Sequence, residues 1–128
     1  MNFILDTHTL VWWINRSPEL SETASNAISS FDNTIFVSAI SAFEITNKFR
    51  LGKWSSVRNL AAFFETIVFE EGFTMLSISA ENAQLAGTIS NVHRDPFDRI
   101  IAAQAISIDA TVITRDDQMA KLGAPTLW

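Results

Sequence analysis

Four short apolar runs constrain this chain more than any other feature. They are Asn2–Leu5, Thr34–Val37, Phe73–Ile78 and Thr111–Ile113, and each is followed at once by a polar residue: Asp6, Ser38, Ser79 and Thr114. Runs this short, rich in aliphatic, β-branched and aromatic residues, read as strands buried on both faces. Between them lie stretches with helical spacing: Thr7–Asn15, Leu20–Ser30, a segment opened by Ser38 or Ser41 and running through Glu44 to Arg50, Leu60–Glu71, Ser79–Ser90 and Asp98–Ile108. Ser21 reads as an N-cap, and Gly52 and Gly72 read as helix ends. Asn91–Phe97 reads as a polar loop containing Pro96. No hairpin signal joins any two strands, so each return must be a crossover. The pattern predicts an α/β protein: a three-layer α/β/α sandwich around a mostly parallel sheet of four to five strands, with Pro125–Trp128 as the fifth. At 128 residues the expectation is one domain spanning 1–128.

That architecture directs attention to the acids. In open α/β sheets ligands bind beyond the carboxyl ends of the strands. Asp6 ends the first strand, and Asp116 lies just past the last residue of the fourth. Glu44 lies within two turns of the helix that follows Val37, and Asp98 opens the long apolar helix. Carboxylates gathered in one cleft repel one another and are costly to desolvate. Hard divalent cations relieve both penalties, because they prefer oxygen ligands. The residues therefore point to a carboxylate-bound Mg²⁺ or Mn²⁺ acting on a phosphodiester. Each acid also has a plainer reading: Asp6 and Asp98 as helix caps, Glu44 as part of a solvated face, Asp116 and Asp117 as a polar turn, and Asp95 as a turn residue before Pro96.

Composition removes other classes. There is no cysteine, which excludes disulfide scaffolds and thiolate chemistry, and with two histidines, His8 and His93, a histidine-rich metal site is not expected. No apolar run is long enough for a membrane helix, and no secretory signal opens the sequence, so the expected location is the cytoplasm. The net charge of −5 argues against a general nucleic-acid coat. Yet Ile45–Phe64 contains no acid and carries Lys48, Arg50, Lys53 and Arg58, a local basic patch.

At these residues the sequence resembles the PIN-domain ribonucleases, specifically the VapC-like toxins of bacterial toxin–antitoxin pairs. The resemblance rests on four segments: Leu5-Asp6-Thr7-His8; Ser38-Ala39-Ile40-Ser41 leading to Glu44 and then Arg50-Leu51-Gly52-Lys53; His93-Arg94-Asp95-Pro96-Phe97-Asp98-Arg99; and Val112-Ile113-Thr114-Arg115-Asp116. It implies a PIN-like fold and a metal-dependent endoribonuclease. In it Asp6, Glu44, Asp98 and Asp116 would be the catalytic, metal-holding quartet for Mg²⁺ or Mn²⁺. Thr114 would orient a ligand or water, and Asp117 is the weaker alternative to Asp116. It further implies a homodimer, an RNA substrate, and a cognate antitoxin whose C-terminal segment blocks the site, often through an arginine. Operator DNA would be reached only through that antitoxin.

Several residues keep two readings. Lys48, Arg50, Lys53, Arg94 and Arg99 read either as RNA phosphate contacts or as solvated or carboxylate-paired cations. His8 and His93 read as proton shuttles or stacking groups, and Trp12, Trp13 and Trp54 as base-stacking or packing residues. Phe63, Phe64 and Phe69 suggest a dimer or antitoxin groove. Arg115 is placed to offset charge among the acids. Two competing functions are a phosphatase using Asp6 as nucleophile, weakened because His8 stands where a second Asp is expected, and a non-catalytic acidic Mg²⁺-binding module.

Overall fold

The structure is a computed structural model that describes residues 1–89 and 94–128. Five strands form one sheet: β1 (Asn2–Leu5), β2 (Thr34–Ser38), β3 (Thr74–Leu76), β4 (Thr111–Ile113) and β5 (Thr126–Leu127). Their order is β3-β2-β1-β4-β5, and every neighbouring pair is parallel. The expected sheet is therefore present with its fifth strand, and it is wholly rather than mostly parallel. The order reverses at β1, since the chain moves outward through β2 and β3 on one side and later through β4 and β5 on the other. That reversal is where an open α/β sheet leaves a crevice at the strand ends.

Among the described residues seven α-helices flank the sheet: α1 (Thr7–Ile14), α2 (Glu22–Ser29), α3 (Ala39–Arg50), α4 (Arg58–Ala62), α5 (Phe64–Glu70), α6 (Ala80–Thr88) and α7 (Pro96–Ser107). Alternate strand residues bury on opposite faces, as the two-residue period requires. Phe3, Leu5, Ile35, Val37 and Ile113 join a core with Leu10, Val11, Ile28, Ile45, Leu60, Phe64 and Val68 from α1 to α5. Ile4 and Val112 join a second core with Ile101, Ala102 and Ala105 of α7. The three-layer arrangement follows from this division.

Local chemistry sets the helix starts. The Asp6, Ser21, Ser38 and Ser79 side chains accept backbone N–H bonds at the starts of α1, α2, α3 and α6. Ser38, not Ser41, therefore opens α3. Gly52 follows α3 in the left-handed conformation, with φ 72°, a position glycine occupies without a Cβ clash.

Two expectations need correction. Leu60–Glu71 is not one helix. The backbone leaves helical geometry at Phe63 (φ −130°, ψ 39°), dividing α4 from α5. The paired aromatics Phe63-Phe64 have modest helix propensity, and the bend still lets Leu60, Phe64 and Val68 bury in one cluster. The long apolar helix starts at Pro96 rather than Asp98. Asp95 caps it by accepting from Phe97 N at 2.9 Å, and Pro96 takes the first helical position. Asp98 thus lies within the first turn and is not the cap. The expected end of the Ser79–Ser90 helix, the start of the Asn91–Phe97 loop and His93 lie outside the described residues.

Candidate active site

The carboxyl ends of β1 and β4 are tied together before any acid is placed. Asp6 N donates to Ile113 O at 3.2 Å, and Thr9 Oγ1 donates to the same carbonyl at 2.8 Å. Thr7 and Ser41 pair hydroxyl to hydroxyl at 2.9 Å, joining α1 to α3. These buried bonds fix the floor of a cleft of about 280 Å³ lined by Asp6, Glu44, Asp95, Asp98 and Asp116, with Lys48 and Arg115 as its cations and Thr7, His8 and Trp12 completing the wall.

Asp6 is buried, 7% exposed. One oxygen accepts from Thr9 N at 3.0 Å, and the other accepts from the Thr114 hydroxyl. The same Thr114 oxygen accepts from Asp116 N at 3.0 Å, so the threonine links the two acids. Burial raises the Asp6 pKa above the ordinary carboxylate value; the bonds from Thr114 and Thr9 and the charge of His8 oppose that rise without cancelling it.

Glu44 projects from α3, is also buried, and receives Lys48 Nζ at 2.6 Å, one helical turn on. Asp98 is half-buried on the first turn of α7, where the helix N-terminus favours negative charge. Asp116 lies past β4 and accepts from Gln118 N at 2.9 Å, forming the turn that carries it. The four acids read from the sequence thus reach one cleft from four separate segments. Asp95 lines it as well, where the sequence favours a turn over a functional role; the Asp-Pro pair at a helix start is the available signal.

The carboxylates do not form a ready cage. Among the described residues, no three His, Cys, Asp or Glu side chains group closely enough to hold a metal ion as they stand. Asp6, Glu44 and Asp116 are instead held by protein donors. The donor set is nonetheless all hard oxygen, with Asp6 and Glu44 buried, which suits Mg²⁺ or Mn²⁺.

The other cations divide. Lys48 and Arg115 line the cleft, and Arg115 also pairs with Glu19 at 2.5 Å, a long-range contact that the sequence reading misses. Arg99 turns toward α6, donating to Ala86 O at 3.0 Å and Ile89 O at 2.6 Å. Arg50 bonds Asn47 at 2.7 Å. Arg94 and Lys53 are exposed, and neither they nor Asp117 lines the cleft.

Fold and cleft together define an α/β protein with an acid-lined crevice at the switch point of a parallel sheet. The PIN domain family matches residues 3–125, and the chain belongs to that family. It is 30% identical to the ribonuclease VapC22 of Mycobacterium tuberculosis, an alignment covering 98% of this chain and 97% of that protein. Its fold is similar to that of VapBC2 from Rickettsia felis, solved bound to a DNA fragment from its promoter, with TM-score 0.73, 19% identity and coverage of 99% and 98% of the two chains. FitAcB from Neisseria gonorrhoeae matches with TM-score 0.72, 19% identity and coverage of 98% and 96%. Among the described residues no helix is long and apolar enough to cross a membrane.

Proposed function

We propose that this protein is a Mg²⁺- or Mn²⁺-dependent endoribonuclease acting in the cytoplasm, and the toxin of a toxin–antitoxin pair. The convergence of Asp6, Glu44, Asp98 and Asp116 on one cleft carries this reading. Family membership and the 30% identity to a named ribonuclease support it. Similarity of fold to VapBC-5 of Mycobacterium tuberculosis, a member of the VapBC family of toxin–antitoxin systems, supports a protein antitoxin as partner, and the promoter DNA bound to VapBC2 supports operator DNA bound through that antitoxin. A homodimer is part of the proposal.

Asp6, Glu44, Asp98 and Asp116 would hold the metal, directly or through water. When bound, a divalent cation supplies a more acidic water and charge stabilisation for the phosphoryl group. The protein's part is to keep the acids in place. Thr9 N and Thr114 fix both Asp6 oxygens, so the carboxylate cannot rotate freely. Lys48 neutralises Glu44 at rest, and Arg115 lies beside Asp116 to attract RNA phosphate. One of the acids serves as general base toward the attacking water.

The test is to incubate the chain with labelled RNA in Mg²⁺, Mn²⁺ or EDTA, with the Asp98→Asn protein alongside. Cleavage is expected with either metal, and neither with EDTA nor in the variant. Metal binding without cleavage of any RNA would favour the non-catalytic module. Thr114→Val removes the hydroxyl that holds Asp6 at near-constant shape. Loss of such a supporting bond is expected to lower activity about 10- to 100-fold, read as initial cleavage rates on protein whose thermal melt is first checked for folding.

A further inference from the structure

Beside the acids lies an aromatic assembly that the metal chemistry does not use. His8 sits 4.8 Å from the Trp54 ring and 5.7 Å from the Trp12 ring, centroid to centroid. Trp12 in turn meets Trp128 edge-on at 5.6 Å. Two of the three indoles carry a cation: Lys48 Nζ lies 5.4 Å from the Trp54 ring, and the Arg115 guanidinium lies 4.5 Å from that of Trp12. Trp13 differs, because it packs on Phe73 and donates to Glu71 at 2.9 Å. Trp54 and Trp128 rest on the core from one side, whereas His8 is exposed. His8, Trp12, Lys48 and Arg115 all line the acidic cleft, so assembly and cleft are continuous.

We propose that His8, Trp12 and Trp54 form a stacking shelf for an unpaired RNA base next to the scissile phosphate. The inference rests on the ribonuclease reading and adds the residues that would hold a base of the substrate. Alternating rings and cations match a nucleotide strand: a base offers a π face, and the phosphate on either side offers a negative charge. A duplex buries those faces in its own stack and cannot offer them. A purely apolar protein contact would not need cations over the Trp12 and Trp54 indoles.

Binding is measured first, in EDTA so that nothing is cleaved, as anisotropy of a labelled 12-nucleotide RNA alone or annealed to its complement. The single strand is expected to bind at least about tenfold more tightly than the duplex, since stacking on one aromatic shelf is worth roughly that factor or more. His8→Ala and Trp54→Ala should each remove about tenfold of this affinity, while His8→Phe and Trp54→Phe restore most of it. With metal present, the alanine variants should raise KM about tenfold and leave kcat within about threefold. His8 is exposed, so its variants test the shelf even if Trp54→Ala fails to fold. Three results overturn the shelf: unchanged Kd and KM in the alanine variants, equal affinity for single strand and duplex, or His8→Phe as defective as His8→Ala. Loss of antitoxin binding with RNA affinity intact also overturns it, reassigning these rings to a protein contact. Shelf-dependent binding without cleavage in any metal would overturn the nuclease reading and leave the shelf standing.

Discussion

Asp6→Asn is expected to abolish RNA cleavage and at the same time raise thermal stability at neutral pH. The activity loss follows from its place in the cleft. Asp6 is buried in the cleft, as Glu44 is, and both of its oxygens are fixed by the fold. An amide of the same shape keeps the bond from Thr9 N through its oxygen and reverses the Thr114 bond, its nitrogen donating to that hydroxyl, but it removes the charge that would hold a cation. A loss of about 4 kcal/mol of transition-state stabilisation, in line with metal-assisted hydrolysis, is about a thousandfold in rate. The stability gain follows from the raised pKa. The folded state binds the Asp6 proton more tightly than the unfolded chain does, because burial penalises the carboxylate. Ionisation therefore weighs against folding. The penalty is absent below the unfolded carboxyl pKa, grows as pH rises through the raised folded value, and is full above it. Asn cannot ionise and escapes the penalty. In EDTA the variant should melt above the parent at pH 7, and the gap should narrow as pH falls into the carboxylate range. A variant that melts below the parent at pH 7, with the gap unaffected by pH, would show that desolvation of Asp6 is not the dominant effect.

The sequence made the sheet and the deep half of the site legible for local reasons. Apolar runs ending at Leu5 and Ile113 mark β1 and β4, and the strand-end rule then places Asp6 and Asp116 without any knowledge of contacts. Glu44 follows from the α3 period. Where the reading slipped, the deciding interactions were distant or were settled by packing. Phe63 interrupts a helix whose buried residues keep a continuous period, and the period alone does not register the bend. Arg99 also bonds the end of α6, a contact its position beside Asp98 in sequence does not announce. Arg115 meets Glu19 across 96 positions, and Trp12 meets Trp128 from the far end of the chain. The Asp95-Pro96 pair was visible as a helix start, but the apolar residues that follow it drew the boundary two positions too late.

Asp98→Asn is expected to be as inactive as Asp6→Asn, about a thousandfold below the parent, but with the opposite effect on stability. Asp98 is half-buried in the first turn of α7, and it is not the cap, because Asp95 holds that position. A carboxylate there gains from the partial positive charge of the helix N-terminus, typically 0.3–1 kcal/mol. Asn keeps the shape and loses that gain, so the melt should fall slightly, by an amount set by roughly that energy. The pair of variants therefore separates two causes of inactivity. If both lose cleavage while one gains stability and the other loses a little, misfolding cannot explain either loss, and the missing negative charge is what they share. Full activity in a well-folded Asp98→Asn protein would remove Asp98 from the catalytic set. It would leave Asp6, Glu44 and Asp116 to carry the chemistry, with Asp95 on the same cleft wall as the next acid to replace.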